Sequence, residues 1–201
     1  MVSDHQTETQ QEKLDQLRRA LEEYASGDTP GLFDHEAEAA KAAVRKRALG
    51  LLDQRARSRH ELRTRLIDAE FDPRVVDDVL DDLAGVGLLD DRTFAHEWVR
   101  QRHARRGKSA RVLDMELKDK GVEPGIRADA LDQIDSADEE STARTVAEKK
   151  ARTIRKVPGD RAESDKQLRR IVGVLARRGY PQGMSLRIAR EVLDERVTAL
   201  Q

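Results

Sequence analysis

The chain has 201 residues, of which 37% are apolar, 3% aromatic and 38% charged, with a formal net charge of −1. So thin an apolar fraction excludes one thick core and favours many amphipathic helices, each burying a narrow stripe. Cysteine is absent, which excludes disulfides and thiolate metal sites, and no apolar run approaches the roughly 20 residues that a bilayer span needs.

The net charge conceals blocks of alternating sign. Residues 41–65 carry 9 bases and 2 acids, 66–98 carry 2 and 10, 99–111 carry 6 and none, 112–143 carry 3 and 10, and 144–178 carry 12 and 4. Local fields, not the average, decide what such a surface attracts.

Taken in chain order, the opening MVSDHQTETQQEKLDQL has neither a basic n-region nor an apolar h-region. It is not a signal peptide, and a cytoplasmic protein with no membrane segment is expected. Residues 1–35 read as a mobile acidic arm with one helix over Gln11–Tyr24, ended by the breakers SGDTPG. Helical periodicity then follows without strand signals. Glu38–Leu52 places Ala39, Ala43, Leu49 and Leu52 near one face. Arg59–Ala69 carries Leu62 and Leu66, and Pro73–Leu83 carries Val75, Val76, Val79, Leu80 and Leu83. Arg92–Ala104 carries Phe94, Ala95, Trp98 and Val99. Its aromatics, spaced i, i+4, are expected in the core. Ala110–Lys120 carries Leu113 and Leu117, and Pro124–Ile134 carries Ile126, Ala130, Leu131 and Ile134.

FDPRVVDDVL (71–80) and VEPGIRADAL (122–131) share one grammar: apolar residue, acid, proline, apolar residues at helical spacing. A 51-residue slide puts Ser58 on Ser109, Leu62 on Leu113, Leu66 on Leu117, Pro73 on Pro124, Leu80 on Leu131 and Leu83 on Ile134. Serine at both helix starts suits an N-cap, Ser58 with Glu61 has the capping-box spacing, and proline suits a first helical position. Asp72 and Glu123 precede the prolines, Glu being a poor cap. A third copy is fainter. Sliding by 109 puts Leu62 on Ile171, Leu66 on Leu175 and Phe71 on Tyr180, and its last helix fits only after a four-residue slip that pairs Val79-Leu80 with Val192-Leu193. Its first helix is expected over Ser141–Ile154, before a loop at 156–164. Glu70 in the first copy stands where Gly121 and Gly179 follow a helix end, so its turn is expected to differ.

The expected fold is therefore all-α, with tandem repeats of three-helix, helix-turn-helix-like modules in an elongated, curved arrangement. Residues 36–90, 91–136 and 137–201 form the modules.

No catalytic constellation is visible. The five histidines show no metal spacing, no Gly-rich phosphate loop occurs, and the carboxylates of DVLDDL and LLDD sit at or near helix starts. No enzyme activity, cofactor or metal is expected. The basic blocks offer the better lead. Arg55, Arg57, Arg59 and Arg63 surround the first helix–helix turn, and Arg105, Arg106, Lys108 and Arg111 surround the equivalent turn of the next module. Arginine forks suit phosphate or carboxylate, so these residues form a candidate basic track for an anionic partner. The plain alternative is a set of solvated faces.

GLLDDRTFAHEWVRQRHARRGKSARVLDMELKDKGV (87–122), with ALGLLDQRARSRHELRTRLIDAEFDPRVVDDVLDDLAGVG upstream, resembles the RecX regulatory proteins of bacteria. Their pattern is an [ST]-x-x-[EQ]-L helix followed by a G-L-L/I-[DN]-D corner. The likeness spans roughly Lys41 to Glu195, is strongest over 45–135, and breaks at Glu70, where the family commonly has a turn residue such as glycine. It implies a modulator without catalysis, built of tandem three-helix units. Such a modulator binds the RecA recombinase and its filament on single-stranded DNA and restrains filament growth, ATP hydrolysis and strand exchange in recombination and its SOS regulation. A monomer is expected. The alternative is a helix-turn-helix-like nucleic-acid-binding protein acting independently of RecA.

Overall fold

The computed structural model describes residues 35–201. The expected acidic arm and its helix over Gln11–Tyr24 lie outside the described residues, save that the first described helix already begins at His35. Among the described residues there are nine helices and no strand: α1 (His35–Gln54), α2 (Arg59–Ile67), α3 (Pro73–Gly85), α4 (Asp91–Arg106), α5 (Ala110–Asp119), α6 (Pro124–Leu131), α7 (Ser136–Ala151), α8 (Arg161–Arg177) and α9 (Gln182–Thr198). None is long and apolar enough to cross a membrane.

The helices pack in threes, each triplet around its own core. Val44, Ala48, Leu51, Leu62, Leu66, Val76, Val79 and Leu80 fill the first. Phe94, Ala95, Val99, Leu113, Leu117, Val122 and Ala130 fill the second. Ala143, Ala147, Ile171, Leu175, Tyr180, Ile188, Ala189, Val192 and Leu193 fill the third. Leu62/Leu113 and Leu66/Leu117 are all fully buried, which is the repeat expressed as packing. The fold is a series of three-helix modules, each burying a narrow stripe.

Caps explain the helix starts. Ser58 Oγ accepts from Glu61 N at 3.1 Å and Ser109 Oγ from Val112 N at 3.4 Å. Asp72 caps α3 through the amides of Arg74 and Val75, whereas Glu123, one methylene longer, makes no cap hydrogen bond on α6. The four-residue slip of the third copy is absorbed by helix length. α9 has 17 residues and α3 has 13, a difference of one turn that keeps the same face inward.

Three expectations need correction. The inward face of α1 is Val44, Ala48 and Leu51, at i, i+4, i+7, while Ala39 and Ala43 are exposed and Leu49 is 36% exposed; alanine methyls gain too little from burial to set a helix's register. α7 begins at Ser136, five residues before the expected Ser141, because Asp135 accepts from Asp138 N at 2.7 Å and caps it there. The Glu70 turn is also not different in kind. Glu70 has φ 65°, beside 69° at Gly121 and 86° at Gly179, so a left-handed residue closes the second helix in all three modules.

Candidate functional site

The equivalent turns are brought together by one junction used twice. At the first, Ser58 Oγ donates to the Lys120 carbonyl at 2.7 Å, and Arg59 N donates to Asp91 Oδ1 at 2.7 Å. At the second, Ser109 N donates to the Arg178 carbonyl at 3.0 Å, and Ala110 N donates to Glu139 Oε1 at 2.9 Å. In each case the helix-two start of one module receives the helix-two end and an acidic first-helix residue of the next. The orphan amides of those helix starts are thereby satisfied across the boundary. Glycine is required at this point of close approach. A Cβ on Gly121 would collide with the His60 side chain, and one on Gly179 with Val112 and Ser109. Glu70 is tolerated because no described module lies before the first, and its side chain is exposed.

The junctions differ in what surrounds them. At the first, the Glu61 carboxylate binds Arg55 (3.0 Å) and Lys120 (2.7 Å), so it does not complete the expected capping box. Burial alone would raise its pKa, but the bonds from Arg55 and Lys120 outweigh that and hold it at about 2. Trp98 lies alongside, its Nε1 donating to Glu116 at 2.9 Å, with Arg102 3.5 Å and Lys120 4.3 Å from its ring centroid. Phe94 is buried as expected, but Trp98 is only half-buried, a cation-covered edge of the core. At the second junction the Tyr180 hydroxyl donates to the Gly107 carbonyl at 3.1 Å, and His103 bridges the Lys108 carbonyl (2.9 Å) and the Thr142 hydroxyl (3.0 Å). Burial raises the Tyr180 phenol to about 12.

The structure distributes the expected basic track unevenly. Arg57 is buried, 5% exposed. Its Nε donates to the Leu51 carbonyl (3.0 Å) and its Nη2 to Gln54 (3.3 Å), which closes the C-terminal end of α1. It is a structural residue, hidden from any partner, because the turn folds it back onto the helix end it follows. Arg59 pairs with Asp81 (2.8 Å), Arg63 clasps Asp77 through two bonds (2.6 and 3.0 Å), and Lys108 is held by Glu116. Arg105, Arg106 and Arg111 are exposed and make no ion pair with another described residue. The reading from sequence missed the cluster of Glu61, Lys120, Trp98, Arg102 and Glu116. Only the capping-box spacing of Glu61 hinted at it, and that pointed to the wrong bond. Among the described residues no group of three or more His, Asp or Glu side chains could hold a metal ion.

Two family models match the chain: RecX, first three-helix domain, over residues 45–83, and RecX, second three-helix domain, over residues 90–131. The Regulatory protein RecX of Corynebacterium efficiens is 57% identical over 204 residues, covering 100% of this chain and 97% of that protein. That of Streptomyces coelicolor is 40% identical over 147 residues, covering 73% and 76%. The crystal structure of RecX from Lactobacillus salivarius superposes with a TM-score of 0.65 at 22% identity, over 79% of this chain and 99% of that one, and so shares the fold.

Proposed function

Because the chain belongs to the RecX family of regulatory proteins, we propose that it modulates the RecA recombinase, binding the filament that RecA forms on single-stranded DNA. It acts in the cytoplasm as a monomer and restrains filament growth, ATP hydrolysis and strand exchange, in the regulation of DNA repair and the SOS response. The observation that carries this reading is the junction built twice from the same parts, Ser58 with Lys120 and Ser109 with Arg178. It presents equivalent corners on successive modules of one chain, which suits a partner that itself repeats, and linked weak contacts then act through effective concentration.

The contact residues divide by availability. Arg105, Arg106 and Arg111 are free to meet an acidic wall or phosphate. Arg59 and Arg63 are exposed enough to exchange their own carboxylates for a partner's, since exposed ion pairs add little net stability, whereas Arg55 is held by the part-buried Glu61. Arg57 and Lys108 support the fold. The test is RecA-catalysed ATP hydrolysis on single-stranded DNA with substoichiometric protein added. Hydrolysis is expected to fall, and the combined charge reversal R105E/R106E/R111E to raise the amount needed by about tenfold, as rim charges govern association. Unchanged hydrolysis at a molar excess of the protein would overturn the reading.

A further inference from the structure

The richest unassigned cation cluster lies in the third module. Lys150 of α7 and Lys166, Arg169, Arg170 and Arg177 of α8 line a groove of about 420 Å³ with Gly173 at its floor. Residues 166, 170, 173 and 177 follow i, i+4, i+7, i+11, one face of a helix, and the row from 166 to 177 is about 16 Å long. No carboxylate lines the groove. The acids that make ion pairs in this module, Glu140, Glu148, Glu191 and Glu195, are engaged by Arg144 and Arg187. None of the five groove cations pairs with a carboxylate of the described residues, and Arg170 bonds only Gln167, at 3.3 Å. Gly173 presents bare backbone where a side chain would stand, its nearest neighbour being the Arg177 guanidinium.

We infer that this groove is a separate binding site for the phosphodiester backbone of single-stranded DNA. A protein partner would require an apolar centre to bury, and none of the exposed large apolar residues, Leu49, Val86, Leu88, Met115 and Val157, lines the groove. Arginine forks and lysine around an open floor match phosphate oxygens. Lys166, Arg170 and Arg177 run along one face of α8, and Asp160, Glu163 and Asp165 at the start of that helix oppose phosphate beyond the end of the groove, so the basic surface suits one strand rather than the wider face of a duplex. With no aromatic side chain in the lining, the contact reads backbone and not bases.

This site rests on the proposed function only in the premise that DNA is near the protein, so it is tested without recombinase. The affinity of the full chain for a labelled oligothymidylate is measured by fluorescence anisotropy at low salt, for the parent, for K166Q/R169Q/R170Q/R177Q, and, as the control, for K41Q/R45Q, whose side chains pair with Asp78 and Asp82. The milder R169Q/R170Q provides a second, fold-safe variant, and helicity and melting of each are recorded. The α8 variants are expected to melt like the parent, the fourfold one losing at least about tenfold in affinity and the control staying within about twofold. An α8 variant that binds as tightly as the parent, or loses no more than the control, overturns the site, as does a duplex of equal length that competes better than the single strand. If RecA-catalysed hydrolysis is unaffected while this binding holds, the recombinase reading fails and the site stands.

Discussion

The first and third modules share one plan and use charge in opposite ways. In the first, α3 carries Asp77, Asp78, Asp81 and Asp82, and these meet Arg63, Lys41, Arg59 and Arg45 in turn. α3 neutralises the cations of its own module that face it. In the third, the acids of α9 turn to Arg144 on α7, and after the four-residue slip Arg190 stands where Asp77 does. The α8 cations are left facing solvent. The modules also differ at the turn: Gly179 is docked against the second module, and Glu70 faces nothing described. Density of positive charge along a sequence therefore does not state availability, which depends on which helix of the same module carries acid opposite it.

The largest effect that would sharpen this contrast is at the turn. Gly179→Ala adds a Cβ at positive φ, about 1 kcal/mol, and forces it into Val112 and Ser109, another 1–3 kcal/mol by overpacking. A loss of about 2–4 kcal/mol is expected in chemical denaturation. Glu70→Ala, at the equivalent undocked turn, is expected to change stability by less than about 0.5 kcal/mol. Equal losses at both turns would break the distinction between docked and free.

The next effect separates the junctions by pH. Glu61, held at about 2 against an ordinary 4.5, favours the folded state above 4.5, and that contribution is lost as pH falls through 2. It is worth up to about 3 kcal/mol. Tyr180 has the reverse sign of sensitivity. Its phenol is kept neutral up to about 12 against an ordinary 10, so stability is lost between pH 10 and 12, where only the unfolded chain ionises. Fluorescence of Trp98, the single tryptophan, lies beside the first junction and reports the acid transition. Glu61→Gln is expected to flatten the acid limb and leave the alkaline one, and Tyr180→Phe the converse.

Much of the fold was legible because it rests on local rules. Ser58, Ser109 and Asp72 are caps by their chemistry, Pro73 and Pro124 start helices, and Leu62, Leu66, Leu113 and Leu117 recur at helical spacing with the same burial. The inward face of α1 is less legible, because alanine is an indifferent marker beside Val44. The site was less legible because pairing is decided between helices far apart in sequence. Nothing local to Arg63 reveals Asp77, and nothing local to Glu61 reveals Lys120, 59 residues on. Arg57 looked like its neighbours in the basic run, and only the path of the turn put it inside. The bases of 144–178 formed the longest such run, yet their freedom follows from where α9 points its acids.

The most direct measurement is the salt dependence of single-stranded DNA affinity, plotted as log K against log salt. Neutralising Lys166, Arg169, Arg170 and Arg177 is expected to flatten the slope by about 0.7 for each phosphate contact removed, while neutralising the paired Lys41 and Arg45 leaves it unchanged. A slope that flattens for the Lys41 and Arg45 variant and stays steep for the α8 variant would contradict the account.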